Sequence, residues 1–174
     1  MSGERTSSPK GGLLHGRGLN VEEPNIMHID LNSCFATVEQ QAHPSLRGRP
    51  LGITNRLSQR CCVIACSYEA KALGIKVGTQ LDEARAICPD FIMLQSDPPK
   101  YHHVYKKLVA IMQSYSPKIQ MKSIDEGIID FHGTRQHINT RPLEDIGLEI
   151  KARLRAEVGC WMKCNIGIAP NRFL

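Results

Sequence analysis

The chain has 174 residues, 41% of them hydrophobic and 22% charged, with a formal net charge of +5. This is an ordinary globular composition, enough for one compact domain or for one domain with a small insertion. No apolar run approaches the length of a membrane span, the N-terminus carries no apolar signal-peptide core, and the positive charge permits an anionic partner without demonstrating one.

In chain order, residues 1–25 open with glycine, serine and balanced charge and no apolar periodicity, and are expected to be a disordered tail. Residues 26–30 read as a short buried strand. Residues 34–42 have helical spacing through Phe35, Val38 and Ala42, and His43-Pro44 ends that helix. Strands are expected at 51–54 and 63–66. Short helices follow at 68–73, stopped by Gly74, and at 81–88, closed by Pro89, with a strand at 91–94. Beyond Ser96-Asp97-Pro98-Pro99, one face of a long amphipathic helix is marked by Tyr101, Val104, Tyr105, Leu108, Ile111, Met112 and Tyr115. A strand pair around Asp125, a helix marked by Leu143, Ile146, Ile150 and Leu154 and ending near Gly159, and a last strand over 161–168 complete the order. The outer elements run strand, helix, strand, strand, helix, strand. They predict an α+β fold with helices on one face of an antiparallel sheet and residues 34–95 inserted after the first strand.

The seven cysteines are an odd number in mostly apolar surroundings, which reads as reduced buried thiols of an intracellular protein. Cys160 and Cys164 have no second Cys/His pair at zinc-site spacing. The chemistry points instead to oxygen ligands. Asp125 and Glu126 are adjacent acids where two short apolar strands meet, and Asp30 ends the first strand. Carboxylates held at strand ends suit a hard cation such as Mg2+, although an Asp-Glu pair near a turn is most often simply solvated.

Four stretches sharpen this reading. His28-Ile29-Asp30-Leu31-Asn32-Ser33-Cys34-Phe35-Ala36-Thr37-Val38-Glu39 resembles the opening motif of the Y-family (translesion) DNA polymerases. Ser67-Tyr68-Glu69-Ala70-Lys71-Ala72-Leu73-Gly74-Ile75 is similar to their fingers motif, and Ser123-Ile124-Asp125-Glu126 to their palm motif. The run from Asn165 through Ala169-Pro170-Asn171-Arg172 to Leu174 looks like the segment leading out of their palm. The motifs occur in the family's order and cover nearly everything after the tail.

The resemblance implies a ferredoxin-like palm (26–33 and 96–174) interrupted by a small fingers domain (34–95), with the family's thumb and little-finger domains not represented. It implies template-directed addition of deoxynucleotides to a primer 3' end with two Mg2+ ions, in lesion bypass. Asp30, Asp125 and Glu126 match the metal-binding acids, and the Leu31 carbonyl the backbone ligand. Asn32 stands where a second Asp is common and is not expected to be a ligand. Phe35 falls at the sugar-selecting aromatic. Tyr68 and Lys71, three apart on one helix face, would meet the β- and γ-phosphates. Lys71 brings a point charge where the family often has the fork of an Arg. Arg172 matches a triphosphate contact that is usually Lys.

The implied partners are primer-template DNA, deoxynucleoside triphosphates and a sliding clamp reached through other segments, with no membrane. The implied location is the cytoplasm of a bacterium, or the nucleus in a eukaryote. Lys100, Lys106, Lys107, Lys118 and Lys122 are candidates for DNA phosphate contact, each of which reads as well as a solvated surface lysine. Rival readings are a catalytically silent polymerase-like accessory module in DNA repair, against which the three intact acids argue, and a metal-dependent nucleotide-binding or cyclase-type enzyme on a similar palm, against which Phe35 and Tyr68 argue.

Overall fold

The computed structural model describes residues 23–134, 138 and 141–172. The tail expected over residues 1–25 therefore lies mostly outside the described residues. Asn25, at its end, is tied in: its amide donates to the Ala169 carbonyl and its carbonyl accepts from the Phe131 amide.

The elements in order are β1 (Ile26–Leu31), α1 (Cys34–Ala42), β2 (Leu51–Thr54), β3 (Ala65–Cys66), α2 (Tyr68–Ala72), α3 (Leu81–Ile87), β4 (Ile92–Gln95), α4 (Pro98–Gln113), β5 (Ile119–Met121), β6 (Glu126–Asp130), α5 (Leu143–Arg153) and β7 (Cys164–Ala169). A four-stranded antiparallel sheet has the order β5-β6-β1-β7. Among these four strands that is second, third, first, fourth, with α4 before the second and α5 before the fourth, the ferredoxin-like arrangement. The fold class expected from the sequence is the one observed.

Alternation along β1 explains the two faces of this sheet. Met27, Ile29 and Leu31 are buried in a core with Val104, Leu108, Ile111 and Met112 of α4 and Leu143, Ile146 and Ile150 of α5. His28 and Asp30 point the other way and are half-buried and exposed, respectively. α4 starts sharply because Pro98 and Pro99 fill its first turn and the Asp97 side chain accepts from the Lys100 amide at 3.2 Å.

The inserted segment builds a second sheet, β3-β2-β4, in which β2 pairs parallel with β4. Its core gathers Val63, Cys66, Ala70, Ile75, Ala84, Phe91 and Met93. α1 serves both parts: Cys34 and Val38 belong to the first core, while Ala36 packs with Leu51 and Ile53. The expected strand over 63–66 is shorter in fact. Val63 exchanges backbone hydrogen bonds with Gly78 and Thr79 instead of continuing the β2 pairing. The last strand likewise starts at Cys164 because Trp161 anchors elsewhere, its amide donating to Gln41 Oε1 at 2.7 Å and its indole to Gln40 Oε1 at 3.0 Å.

Gly52 shows how tight the second sheet is. A Cβ there would stand 2.7 Å from Phe91 Cζ and 3.0 Å from Val63 Cγ2, both buried and neither free to swing aside. Gly52→Ala is expected to lower stability by about 1–3 kcal/mol through overpacking, read as a lower urea midpoint with unchanged slope.

Candidate active site

The end of β1 and the start of β6 bring the acids together. Asp30 pairs in register with Glu126, and the Leu31 amide donates to the Asp125 carbonyl at 2.9 Å. On its other side Asp30 faces Asn165 and Leu31 faces Cys164, both in β7. Partial desolvation at the strand end, and then the charges of Asp125 and Glu126, lift the carboxyl of the largely exposed Asp30 above the usual carboxylate range, while the Lys71 ammonium pulls it back. Excess negative charge is thus concentrated at this strand end, and the Lys71 cation is near enough to oppose it.

The backbone convergence is not matched by a closed cage of side chains. Among the described residues, no three His, Cys, Asp or Glu side chains are gathered as a metal site. Mutual repulsion keeps uncompensated carboxylates apart, and Asp125 Oδ1 accepts from Ser123 Oγ at 2.5 Å. The donor set nevertheless fits Mg2+: hard carboxylate oxygens on adjoining strands, with an acid whose proton affinity already registers its neighbours. The Cys34 sulfur does not compete. Burial, with Asp125 and Asp30 adding, pushes the Cys34 thiol up to about 12, so it stays protonated.

Between Asp30 and Phe35 the chain makes an uncommon turn. Ser33, the N-cap of α1, is left-handed at φ 48°, ψ 42° and makes no side-chain cap hydrogen bond. Among the described residues, the buried Ser33 Oγ and Asn32 Oδ1 find no hydrogen-bond partner. A non-glycine residue in this region costs of order 1–3 kcal/mol, a kind of strain that clusters at functional sites. Among the described residues, the first-turn amides of α1 therefore have no side-chain cap, which favours an anion beside them. Asn32 Nδ2 donates to Asn165 Oδ1 at 3.3 Å.

Phe35 follows on the first turn of α1, half-buried. Its ring stacks on Tyr101 with centroids 4.4 Å apart and planes at 13°. One face is therefore covered, rather than the ring standing free in a cleft.

Tyr68 opens α2 and is 43% exposed, so its phenol is available to a ligand. The Lys71 ammonium lies 5.7 Å from the Tyr68 ring centroid, and Lys163 lies at 5.7 Å from the same ring. Among the described residues, neither ammonium has a carboxylate within salt-bridge distance. Lys163 is a site residue that the sequence reading missed. It sits just before β7, and its carbonyl accepts from the Asn32 amide at 3.0 Å. Only the sheet register, invisible in sequence spacing, brings it beside Asn32 and the Tyr68 ring. Tyr68, Thr37, Gln40, Glu69, Trp161 and Lys163 line a pocket of roughly 210 Å³.

The structure does not bring Arg172 to this group. β7 runs antiparallel to β1, so the residues after it emerge at the far end of the sheet. There Arg172 donates to Asp130 Oδ2 and Gln120 Oε1, each at 3.1 Å. Three of the lysines considered for DNA contact are also engaged within the chain. Lys100 pairs with Glu39, Lys107 donates to the Glu157 carbonyl, and Lys118 to the His132 carbonyl.

Comparison with known proteins bears on the same residues. The description of the impB/mucB/samB family matches residues 29–174. A protein of Bacillus velezensis named DNA polymerase IV is 36% identical over 151 residues, which are 86% of this chain and 35% of that protein. DNA polymerase IV 1 of Bacillus subtilis is 37% identical over 150 residues, again 86% of this chain and 35% of the relative. The chain thus spans about a third of the length of these curated relatives. Among solved structures, DinB from Sulfolobus solfataricus superposes with a TM-score of 0.74 at 26% identity, covering 86% of this chain and 43% of that one. An insertion ternary complex of Dbh DNA polymerase gives 0.74 at 25% identity with the same coverage.

Proposed function

Because this chain belongs to the impB/mucB/samB family, and its motifs and relatives are those of Y-family DNA polymerases, we propose that it is the palm and fingers portion of a lesion-bypass, template-directed DNA polymerase. The observation that supports this most is the pairing of Asp30 with Glu126 beside Asp125, under the cation of Lys71. The palm is residues 26–33 and 96–174 and the fingers residues 34–95, with α1 packed into both. Its partners are primer-template DNA and deoxynucleoside triphosphates. A sliding clamp would be met through other segments.

Asp30, Asp125, Glu126 and the carbonyl of Leu31 are the groups that would hold two Mg2+ ions. When bound, these supply positive charge that favours the 3'-alkoxide and neutralises the departing pyrophosphate. The chain's own residues do the remaining work. Tyr68 and Lys71 donate to the β- and γ-phosphates, with Lys163 as a further cation on the same aromatic ring. The uncapped first-turn amides of α1 offer donors to the same anion. Phe35, braced by Tyr101, occupies the space a ribose 2'-hydroxyl would need. Arg172, held at the other end of the sheet, is left out of this set.

Lys71→Ala is expected to weaken deoxynucleoside triphosphate binding about tenfold, one lost charge-assisted hydrogen bond. Lys163→Ala should cost less, both effects shrinking with added salt. Calorimetric titration at two salt concentrations measures them.

Primer extension tests the function itself. Contacts from the palm and fingers alone to a duplex should be weak and salt-sensitive, so the 174-residue chain is expected to extend primers poorly. A chimera joining it to the remainder of the Bacillus subtilis relative should extend them, and Asp125→Ala in the chimera should abolish extension. A chimera that folds and binds DNA but never extends would favour a silent accessory module.

A further inference from the structure

Glu39 is a charged residue in the wrong place for a soluble surface. It is 4% exposed, on α1, four residues after Phe35 and so on the same face of the helix. Burying a carboxylate is costly unless it is paired and hydrogen-bonded. Here both oxygens are used. Glu39 Oε1 accepts from the Tyr101 hydroxyl at 3.0 Å, and Glu39 Oε2 from Lys100 Nζ at 2.7 Å. Lys100 also reaches Asp97 Oδ2 at 3.3 Å, which closes the network onto the N-cap of α4.

Tyr101 is consequently held at two points by one face of α1. Its hydroxyl is fixed by Glu39 and its ring lies flat on Phe35. Tyr101 is itself 3% exposed, and its hydroxyl also meets the Asp97 backbone at the start of α4. Burial, together with the charge of Glu39, raises the Tyr101 phenol above its ordinary range, so it remains a donor to the carboxylate at any working pH. For Lys100, burial pulls the ammonium down, but the Glu39 hydrogen bond and charge outweigh it and hold it protonated.

We infer that Glu39 is a positioning residue for sugar selection: through Tyr101 it sets how far the Phe35 ring stands into the nucleotide site. This rests on the reading of Phe35 as the sugar-selecting residue. A buried ion pair is a poor contributor to stability compared with apolar residues of similar volume. An apolar pair of similar volume would spare the desolvation cost, but only by leaving the buried Tyr101 hydroxyl without its acceptor. The network instead ties the ring that excludes a 2'-hydroxyl to the start of α4, and neither α1 nor α4 could shift without moving it.

The test uses the 174-residue chain and four variants: Phe35→Ala, Tyr101→Phe, Glu39→Gln, and Glu39→Met with Lys100→Met. Two readouts are taken: Phe35 ring resonances in the nucleotide-free protein, and the ratio of affinities for dCTP and CTP. The paired methionine variant should fold, the relief from removing a buried ion pair being offset by the buried Tyr101 hydroxyl left without its carboxylate acceptor. Its Phe35 resonances should nevertheless shift and broaden, and its preference for dCTP should fall about tenfold, toward that of Phe35→Ala. Tyr101→Phe, which loses one hydroxyl and keeps the stack, should fall part of the way. Glu39→Gln, which still accepts from Tyr101, should retain most of the preference.

Unchanged Phe35 resonances or an unchanged ratio in the folded methionine and Tyr101→Phe variants would overturn the role of Glu39 while leaving the Phe35 reading standing. An unchanged ratio in Phe35→Ala would remove both.

Discussion

Asp30→Asn is expected to make the isolated chain more heat-stable at neutral pH and, in the chimera, to cut primer extension by at least about 100-fold, the scale seen when one catalytic electrostatic group is removed. The stability half follows from the sign of its proton affinity. Partial desolvation and two neighbouring carboxylates raise the Asp30 carboxyl above its ordinary value of 3.8 on folding. Its ionisation therefore opposes folding. The penalty is absent in acid, where the group is protonated folded or unfolded. It grows as pH rises through 3.8 and is complete once the raised native value is passed. Asn carries no such penalty, so its advantage should appear at neutral pH and vanish in acid. Added Mg2+ should reverse the order, because only the parent gains stability from binding it. Melting curves at both pH values, with and without Mg2+, check each step.

Phe35→Ala is expected to lower discrimination against ribonucleotides by about 10–100-fold, the range available to one steric contact in a binding pocket. The parent ring is braced on Tyr101 at 4.4 Å, so it cannot easily yield to a 2'-hydroxyl. Truncation also leaves the buried Tyr101 without its stacking partner, at a cost of about 2 kcal/mol given that Phe35 is only half-buried. Phe35→Leu, which fills more of that space, should keep most of the stability and an intermediate discrimination. Single-nucleotide incorporation by the chimera, with matched ribo- and deoxynucleotides, gives the ratio directly.

The elements that frame the site were legible because their signals are local. α1 was delimited by apolar spacing and by the proline after His43, β2 by a short apolar run, and α4 by two prolines and one apolar face. Asp30 and Glu126 could be placed at strand ends from alternation, whereas Asp125 lies in the connection just before β6. What remained hidden depends on register and on side-chain direction. Lys163 becomes a neighbour of Tyr68 only because β7 lies along β1. Arg172 looked like a site residue by motif, yet antiparallel β7 delivers it to Asp130 at the other end of the sheet. Glu39 carried no sequence signal of burial. A Glu at that helical position reads as surface until Tyr101 and Lys100 arrive from 62 and 61 residues away.

The central claim is that Asp30, Asp125 and Glu126 act together, through a shared divalent cation, on a nucleotide. Calorimetric titration of dCTP into the 174-residue chain, with Mg2+ and with a chelator, tests it most directly when repeated on Asp125→Ala. The account predicts binding that is weak but measurable with Mg2+, and lost both with the chelator and in the folded variant. Equal dCTP affinity in all three conditions would contradict it.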